Sequence, residues 1–195
     1  MKPVRQQAPG QVRIIGGSLR GSKLAVPDRG GLRPTPGRVR ETLFNWLQSW
    51  IEGARCLDLF AGTGALGIEA LSRGAAGVTF VERDAELARA LSANLARLGQ
   101  DHARVICSEA AQYLQEAAQP FDIVFMDPPF ALELWSGMAW HLERGGWLRD
   151  NAWVHVESAT DQRPELPLAW QLHRERTAGQ VRHALYRRCA GDGLD

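Results

Sequence analysis

The sequence predicts an α/β fold: a doubly wound, mainly parallel sheet with an antiparallel C-terminal hairpin and a small N-terminal β-ribbon and helix. Three observations carry this. Short apolar runs alternate with helix-period segments between about residues 51 and 157, the pattern of parallel strands joined by helical crossovers. Residues 56–67, Cys-Leu-Asp-Leu-Phe-Ala-Gly-Thr-Gly-Ala-Leu-Gly, join a strand to a helix through a glycine-dense turn. Asp127-Pro128-Pro129-Phe130 closes a second apolar strand, at the carboxyl end where open α/β sheets bind ligands.

In chain order, Val12–Ile15 and Lys23–Val26 read as two short strands forming a ribbon. Thr35 caps a helix with Pro36 at its first position, and the helix runs to about Trp50. Val39, Leu43, Trp46, Leu47 and Trp50 are expected on its core side. The body then alternates. A helix over Ala65–Arg73 leads to a strand at Val78–Glu82. Asp84 caps a helix over Ala85–Leu98 with a leucine stripe, and Gly99 stops it. A strand at Arg104–Cys107, a helix at Ala110–Ala118 and a strand at Phe121–Met126 follow. A helix at Leu132–Leu142 precedes a strand at Trp153–Glu157. Strands at Trp170–Arg176 and Val181–Arg187 turn at Ala178-Gly179-Gln180. Residues 1–50 form a basic extension and residues 51–190 the main domain.

Composition narrows the function classes. The chain has 195 residues and 45% hydrophobic content, enough for one domain with a sizeable core. No apolar stretch approaches the ~20 residues of a membrane span, and no secretory leader is visible. Cys56, Cys107 and Cys189 are scattered, as in reduced proteins, and the five histidines lack ligand spacing, so no metal is expected. A cytoplasmic monomer is the expectation. The net charge of +1 hides an asymmetry: residues 1–40 hold nine Lys/Arg against Asp28 alone. Such an arm suits a polyanion. Arg13, Arg20, Lys23, Arg33, Arg38 and Arg40 are its candidate RNA contacts.

The glycine turn has two readings. Gly62, Gly64 and Gly67 spell G-x-G-x-x-G, a dinucleotide fingerprint that is weak alone. Glu82, at the end of the next strand, is placed for ribose hydroxyls of either NAD or S-adenosylmethionine. Asp58 inside the strand favours the latter, because a carboxylate there can face the ammonium of a methionine moiety. The Asp-Pro-Pro-Phe segment adds the chemistry. Its prolines stiffen the backbone and remove two N–H donors, leaving acceptors. A carboxylate and a rigid carbonyl can hold both hydrogens of an exocyclic amine and aim its lone pair. Phe130 offers a stacking face for the base. Asp127, Pro128 and Phe130 are therefore the catalytic candidates. A dehydrogenase would leave this segment unexplained.

With both motifs in place, the chain resembles the class I S-adenosylmethionine-dependent methyltransferases. Within them it resembles the bacterial 16S ribosomal RNA (guanine-N2)-methyltransferases of the RsmD type. The resemblance spans nearly the whole chain. It includes Arg13-Ile14-Ile15-Gly16-Gly17, Leu32-Arg33-Pro34-Thr35, Arg38 through Leu47, Leu57 through Ala70, Asp127 to Phe130, Val156-Glu157-Ser158 and Ala178-Gly179-Gln180-Val181. It implies a seven-stranded sheet, S-adenosylmethionine as cofactor with S-adenosylhomocysteine as product, and methylation of N2 of guanine 966 in 16S rRNA. The substrate would be the small subunit or its assembly intermediate. By this resemblance the cofactor set is Asp58, Phe60, Ala61, Gly62, Thr63, Gly64, Glu82, Arg83, Ser108, Glu109 and Ala110. Two positions depart from the family pattern: Glu109 replaces the usual Asn or Asp, and Gly37 a frequent Asp. Transfer to adenine N6 or cytosine N4, and an RNA-binding assembly factor with a vestigial pocket, are the rival functions.

Overall fold

The computed structural model describes residues 11–27, 37–129 and 134–189. Strands β1 (Gln11–Arg13) and β2 (Lys23–Ala25) pair antiparallel as a ribbon, followed by helix α1 (Gly37–Trp46). The body runs β3 (Arg55–Asp58), α2 (Ala65–Ser72), β4 (Gly77–Glu82), α3 (Ala85–Arg97), β5 (Ala103–Cys107), α4 (Ala110–Tyr113) and β6 (Phe121–Met126). It ends with α5 (Trp135–Arg144), β7 (Leu148–Ala159), β8 (Trp170–Ala178) and β9 (Val181–Arg188).

The seven-stranded sheet has the order β5-β4-β3-β6-β7-β9-β8. Strands β3 to β7 are parallel, and β9 joins β7 antiparallel to start the hairpin edge. The order reverses beside β3, so the carboxyl ends of β3 and β6 flank the crevice in which such sheets bind ligands.

Side-chain alternation explains the two layers. Cys56, Ile123 and Phe125 face a core shared with α1, α2 and α3. Their neighbours Leu57, Val124 and Met126 face a second core under α4 and α5, filled by Trp135, Trp147 and Tyr113. Successive strand residues point to opposite faces, and here both faces are covered.

The N-terminal ribbon belongs to the first core through Val12, Ile14, Leu24 and Val26. Glu69 of α2, fully buried, accepts from the backbone N–H groups of Ile15 and Gly16, both at 2.8 Å, and from Arg73 at 2.9 Å. Ser72 accepts from the Leu19 N–H at 2.9 Å and donates to the Gly16 carbonyl. Asn94 of α3 binds both backbone groups of Ala25. These contacts place a basic surface at a fixed position beside the sheet.

Three expectations change. The buried stripe of α1 is Arg40, Leu43 and Phe44, continued by Leu47, whereas Val39 and Trp46 are only half-buried. The helix ends at Trp46, so Trp50 leaves its register and lies exposed, packed on Trp153 with ring centroids 4.2 Å apart. The helix expected over Ala110–Ala118 is a single turn. Its segment has only Tyr113 and Leu114 as large apolar anchors, and the Leu114 carbonyl accepts from the Trp147 indole instead of continuing the helix. The proposed cap at Thr35-Pro36 lies outside the described residues.

The third glycine of the turn serves packing. A Cβ at Gly67 would sit 2.1 Å from the Phe80 ring, so α2 approaches β4 as closely as glycine allows. Gly67→Ala is expected to cost about 1–3 kcal/mol by overpacking, read as a lower urea midpoint at unchanged m value.

Candidate active site

The carboxyl ends of β4, β3, β6 and β7 place Glu82, Asp58, Asp127 and Glu157 along one edge of the sheet. Asp58 is buried, and its Oδ2 accepts from the Gly67 N–H at 3.0 Å, tying the strand end to the first turn of α2. Burial pushes Asp58 up to about 7; the Gly67 hydrogen bond opposes this, while the charges of Glu82 and Glu157 add to it. Glu82 accepts from Gly62 N–H at 2.7 Å and Asp84 N–H at 2.8 Å. Each carboxylate oxygen keeps a further acceptor site, so the same side chain can brace the turn and receive ribose hydroxyls.

The turn conformation depends on two left-handed glycines. Gly62 has φ 52° and open space where a Cβ would stand, a cradle next to Glu82. Gly64 has φ 76°, and a Cβ there would meet Leu91 at 2.3 Å. The start of α2 follows directly, with amide groups available to a ligand. Opposite it, Ser108 N–H donates to the Glu82 carbonyl at 3.1 Å, Arg83 pairs with Glu109 at 3.7 Å, and Ala110 is buried. The residues fit an adenosyl group with an attached amino acid: an acid for the ammonium, a glycine cradle, an acid for the ribose, and a surface at the end of β5.

Asp127 follows β6, with Pro128 buried behind it and Pro129 exposed. Asp127 keeps part of its surface exposed, while burial of its carboxyl, then the charges of Glu157 and Asp58 and a hydrogen bond with Glu157, hold that carboxyl well above the usual carboxylate range. Phe130 lies outside the described residues.

Sequence reasoning gave Glu157 no role. Its signals in the sequence are its place near the end of a strand and the Val156-Glu157-Ser158 run that the family resemblance includes. Nor was the meeting of His155 and His183 foreseen, because they come from two strands paired through the hairpin; their rings stack at 5.9 Å. The donor atoms of His155, Glu157 and His183 all lie within 4.8 Å of one another. His183 Nδ1 lies 3.2 Å from Glu157 Oε1, and no ring nitrogen of either histidine has a hydrogen-bond partner among the described residues, so the trio is a buried polar cluster with unused hydrogen-bonding capacity.

The basic residues divide. Arg13, Arg20, Lys23 and Arg38 are exposed. Arg33 lies outside the described residues. Arg40 corrects the expectation: it is 4% exposed, donates to the Arg13 carbonyl at 2.8 Å and lies 3.7 Å from Glu69. It braces the ribbon from below and has no surface to offer phosphate. Arg176, which the sequence did not single out, lines a groove of about 450 Å³ with Arg38, Trp46 and His183, between α1 and the β8–β9 hairpin. Trp135 is buried and donates to the Glu157 carbonyl at 2.6 Å, while Trp140 is exposed under Arg144.

Strand order and this arrangement of glycines and acids define the class I S-adenosylmethionine-dependent methyltransferase fold. Residues 12–187 match the model of the family described as Conserved hypothetical protein 95. The chain is 52% identical to ribosomal RNA small subunit methyltransferase D of Escherichia coli strain K12, over 96% of each chain. It is 46% identical to the protein of the same name from Haemophilus influenzae, over 92% of this chain and 95% of the other. The solved structure of yhhF from Escherichia coli superposes with a TM-score of 0.87 at 53% identity, covering 93% of this chain and 99% of that one. The chain belongs to the ribosomal RNA small subunit methyltransferase D family.

Proposed function

We propose that this protein transfers a methyl group from S-adenosylmethionine to the exocyclic N2 of guanine 966 in 16S rRNA, within the small subunit or its assembly intermediate, acting as a cytoplasmic monomer without a metal. The observation that carries the reading is Asp127 at the end of β6, adjacent to the strand whose Asp58 anchors the glycine turn. One strand pair thus presents a cofactor cradle and an amine acceptor together. The family relatives named for small-subunit rRNA methylation support the substrate.

Asp58 faces the ammonium of the cofactor, Gly62 and Gly64 with Phe60, Ala61 and Thr63 line its methionine part, and Glu82 takes the ribose. Arg83, Ser108, Glu109 and Ala110 border the adenine. Bound S-adenosylmethionine supplies an already activated sulfonium methyl. Asp127 and the Pro128 carbonyl accept the two amino hydrogens and direct the nitrogen lone pair, with Phe130 stacking on the extruded base. Positioning of this kind can contribute up to ~7–11 kcal/mol. Arg13, Arg20, Lys23 and Arg38, with Arg176 across the groove, hold the surrounding phosphates.

Two predictions follow from the assignments. Cofactor binding needs the ionised form of Asp58, whose apo value is about 7. An ammonium partner lowers that value, so binding releases a proton, and affinity is expected to fall about tenfold per pH unit below 7 and to level off above it. Calorimetry in buffers of different ionisation enthalpy checks both slope and proton release. Arg38→Glu is expected to weaken rRNA binding and flatten its salt dependence while cofactor affinity is unchanged. Unaltered RNA affinity would remove α1 from the interface.

The substrate class is tested by offering labelled S-adenosylmethionine with unmethylated 30S particles, naked 16S rRNA and duplex DNA. Label in ribosomal RNA alone is expected. Label in DNA would favour an adenine or cytosine amino-methyltransferase.

A further inference from the structure

The β8–β9 hairpin returns to the sheet edge that holds Asp127, and a groove lies there between the hairpin and α1. We propose that this groove is a nucleotide subsite. It takes the RNA nucleotide next to the target, with the base stacked on Trp46 and the phosphate held between Arg38 and Arg176. The proposal rests on the RNA-methyltransferase reading above and narrows a general attraction for phosphates to one defined subsite.

Strand register sets the position. β7 is parallel to β6, so both end at the edge that carries Asp127. β9 runs antiparallel to β7 and β8 antiparallel to β9, which brings the turn between them back to the same edge. Glu157 pairs with His183 and His183 with Arg176, one row across β7, β9 and β8. Trp153 and Leu185, at alternate positions of the same strands, pack in the core shared with α1, so this row lies on the α1 side of the sheet. Neighbouring strands lie about 4.8 Å apart, which sets β9 about 10 Å from the strand that leads to Asp127. The nucleotide adjoining an extruded base falls within that reach, and enzymes that extrude a base read such neighbours.

The walls suit one nucleotide. The groove measures about 450 Å³, the size of a cleft for a single small ligand. α1 supplies Arg38, Thr42 and Trp46 to one wall, and the end of β8 supplies Arg176 and Thr177 to the other. Trp46 is half-buried: it packs against the core and also lines the groove. The fold thus holds the indole in place before any base arrives, and bases of every identity stack on aromatic rings. Arg38 and Arg176 are exposed, and neither has an ion pair among the described residues; Glu175, next to Arg176, pairs with Arg182 instead. A phosphate between two such guanidiniums gains charge-assisted hydrogen bonds from both. Glu41, also in the groove, repels phosphate at its own position and suits the amino hydrogens of a base edge.

The test is equilibrium binding of unmethylated 30S particles by the full-length protein, with S-adenosylmethionine affinity measured in parallel. Trp46→Leu keeps apolar packing and removes the stacking ring, and 30S affinity is expected to fall about tenfold. Trp46→Phe keeps a ring and should lose less. Arg176→Gln, at an exposed position where folding is not at stake, should weaken binding and lower the salt slope by about one. Cofactor affinity should not change in these variants. Arg144→Gln on α5, in the opposite layer and beside the exposed Trp140, should leave 30S affinity unchanged. A photoreactive diazirine residue in place of Thr177 should crosslink to the nucleotide adjoining the methylated guanine. Wild-type 30S affinity in Trp46→Leu and Arg176→Gln overturns the subsite, as does an equal loss in Arg144→Gln. A crosslink to ribosomal protein, or to the methylated guanine itself, overturns the assignment to a neighbouring nucleotide. A wild type that binds 30S particles but methylates no amino group sinks the underlying reading instead.

Discussion

Replacing Asp127 with alanine is expected to lower methyl transfer by about 10²–10⁴-fold while S-adenosylmethionine affinity stays within about twofold. The asymmetry follows from position. Asp127 ends β6, whereas the glycine turn hangs from β3 and is braced by Asp58 and Glu82. Removing Asp127 takes away an acceptor for the amine and leaves those braces intact. It also removes one of the acids that crowd this sheet edge. Asp127→Asn keeps an acceptor oxygen but cannot carry the proton, so its loss should be smaller than that of alanine. Rapid-quench transfer and calorimetric binding separate the two effects. Parallel loss of cofactor binding and transfer in Asp127→Ala would contradict the role given to it.

The largest effect on stability is expected at Glu69. Glu69→Ala leaves the Ile15 and Gly16 N–H groups without their acceptor and the Arg40 and Arg73 guanidiniums without their counter-charge, all against a buried site. Breaking a buried ion pair from one side costs about 3–5 kcal/mol. Denaturant unfolding should show that loss, and limited proteolysis should show earlier cleavage within residues 14–26. Glu69→Gln keeps acceptor capacity and should lose less. A shift below about 1 kcal/mol for alanine would mean that the apolar contacts of Val12, Ile14 and Leu24 hold the ribbon by themselves. Arg40→Glu belongs to the same test. It would place two carboxylates beneath the ribbon, so any weaker RNA binding in that variant reports a damaged fold, unlike Arg38→Glu at the surface.

Local patterns were legible where one physical cause dominated. Asp84 caps α3 by accepting from Glu86 and Leu87, as its position before an amphipathic run indicated. Leu87, Leu91 and Leu95 bury along that helix at helical spacing. The β6 limits, Phe121–Met126, and the turn between β8 and β9 follow from clear apolar runs bounded by breakers. The glycine turn and the Asp-Pro-Pro segment were visible because few other structures need those residues in that order. What stayed hidden depended on pairing between distant segments. The partner of Arg40 is Glu69, on another helix. Trp50 looked apolar at helical spacing, but the helix had already ended. His155 and His183 meet only because β7 and β9 pair in one register, and that register puts Glu157 between Asp127 and His183. Sequence spacing carries no record of a cross-strand neighbour 26 residues away.

The most direct measurement is nucleoside analysis of the methylated product. Unmethylated 30S particles are incubated with the protein and labelled S-adenosylmethionine, the rRNA is cut into mapped fragments, and the labelled fragment is digested and identified by mass spectrometry. The proposed role of Asp127 and Pro128 as acceptors for an exocyclic amine, with the substrate proposed above, predicts N2-methylguanosine confined to the fragment holding guanine 966. Label on a ribose hydroxyl or on a ring nitrogen would contradict the account, because neither acceptor needs two hydrogens held and a lone pair aimed; label on adenine N6 would keep the amine chemistry and overturn the assignment to guanine.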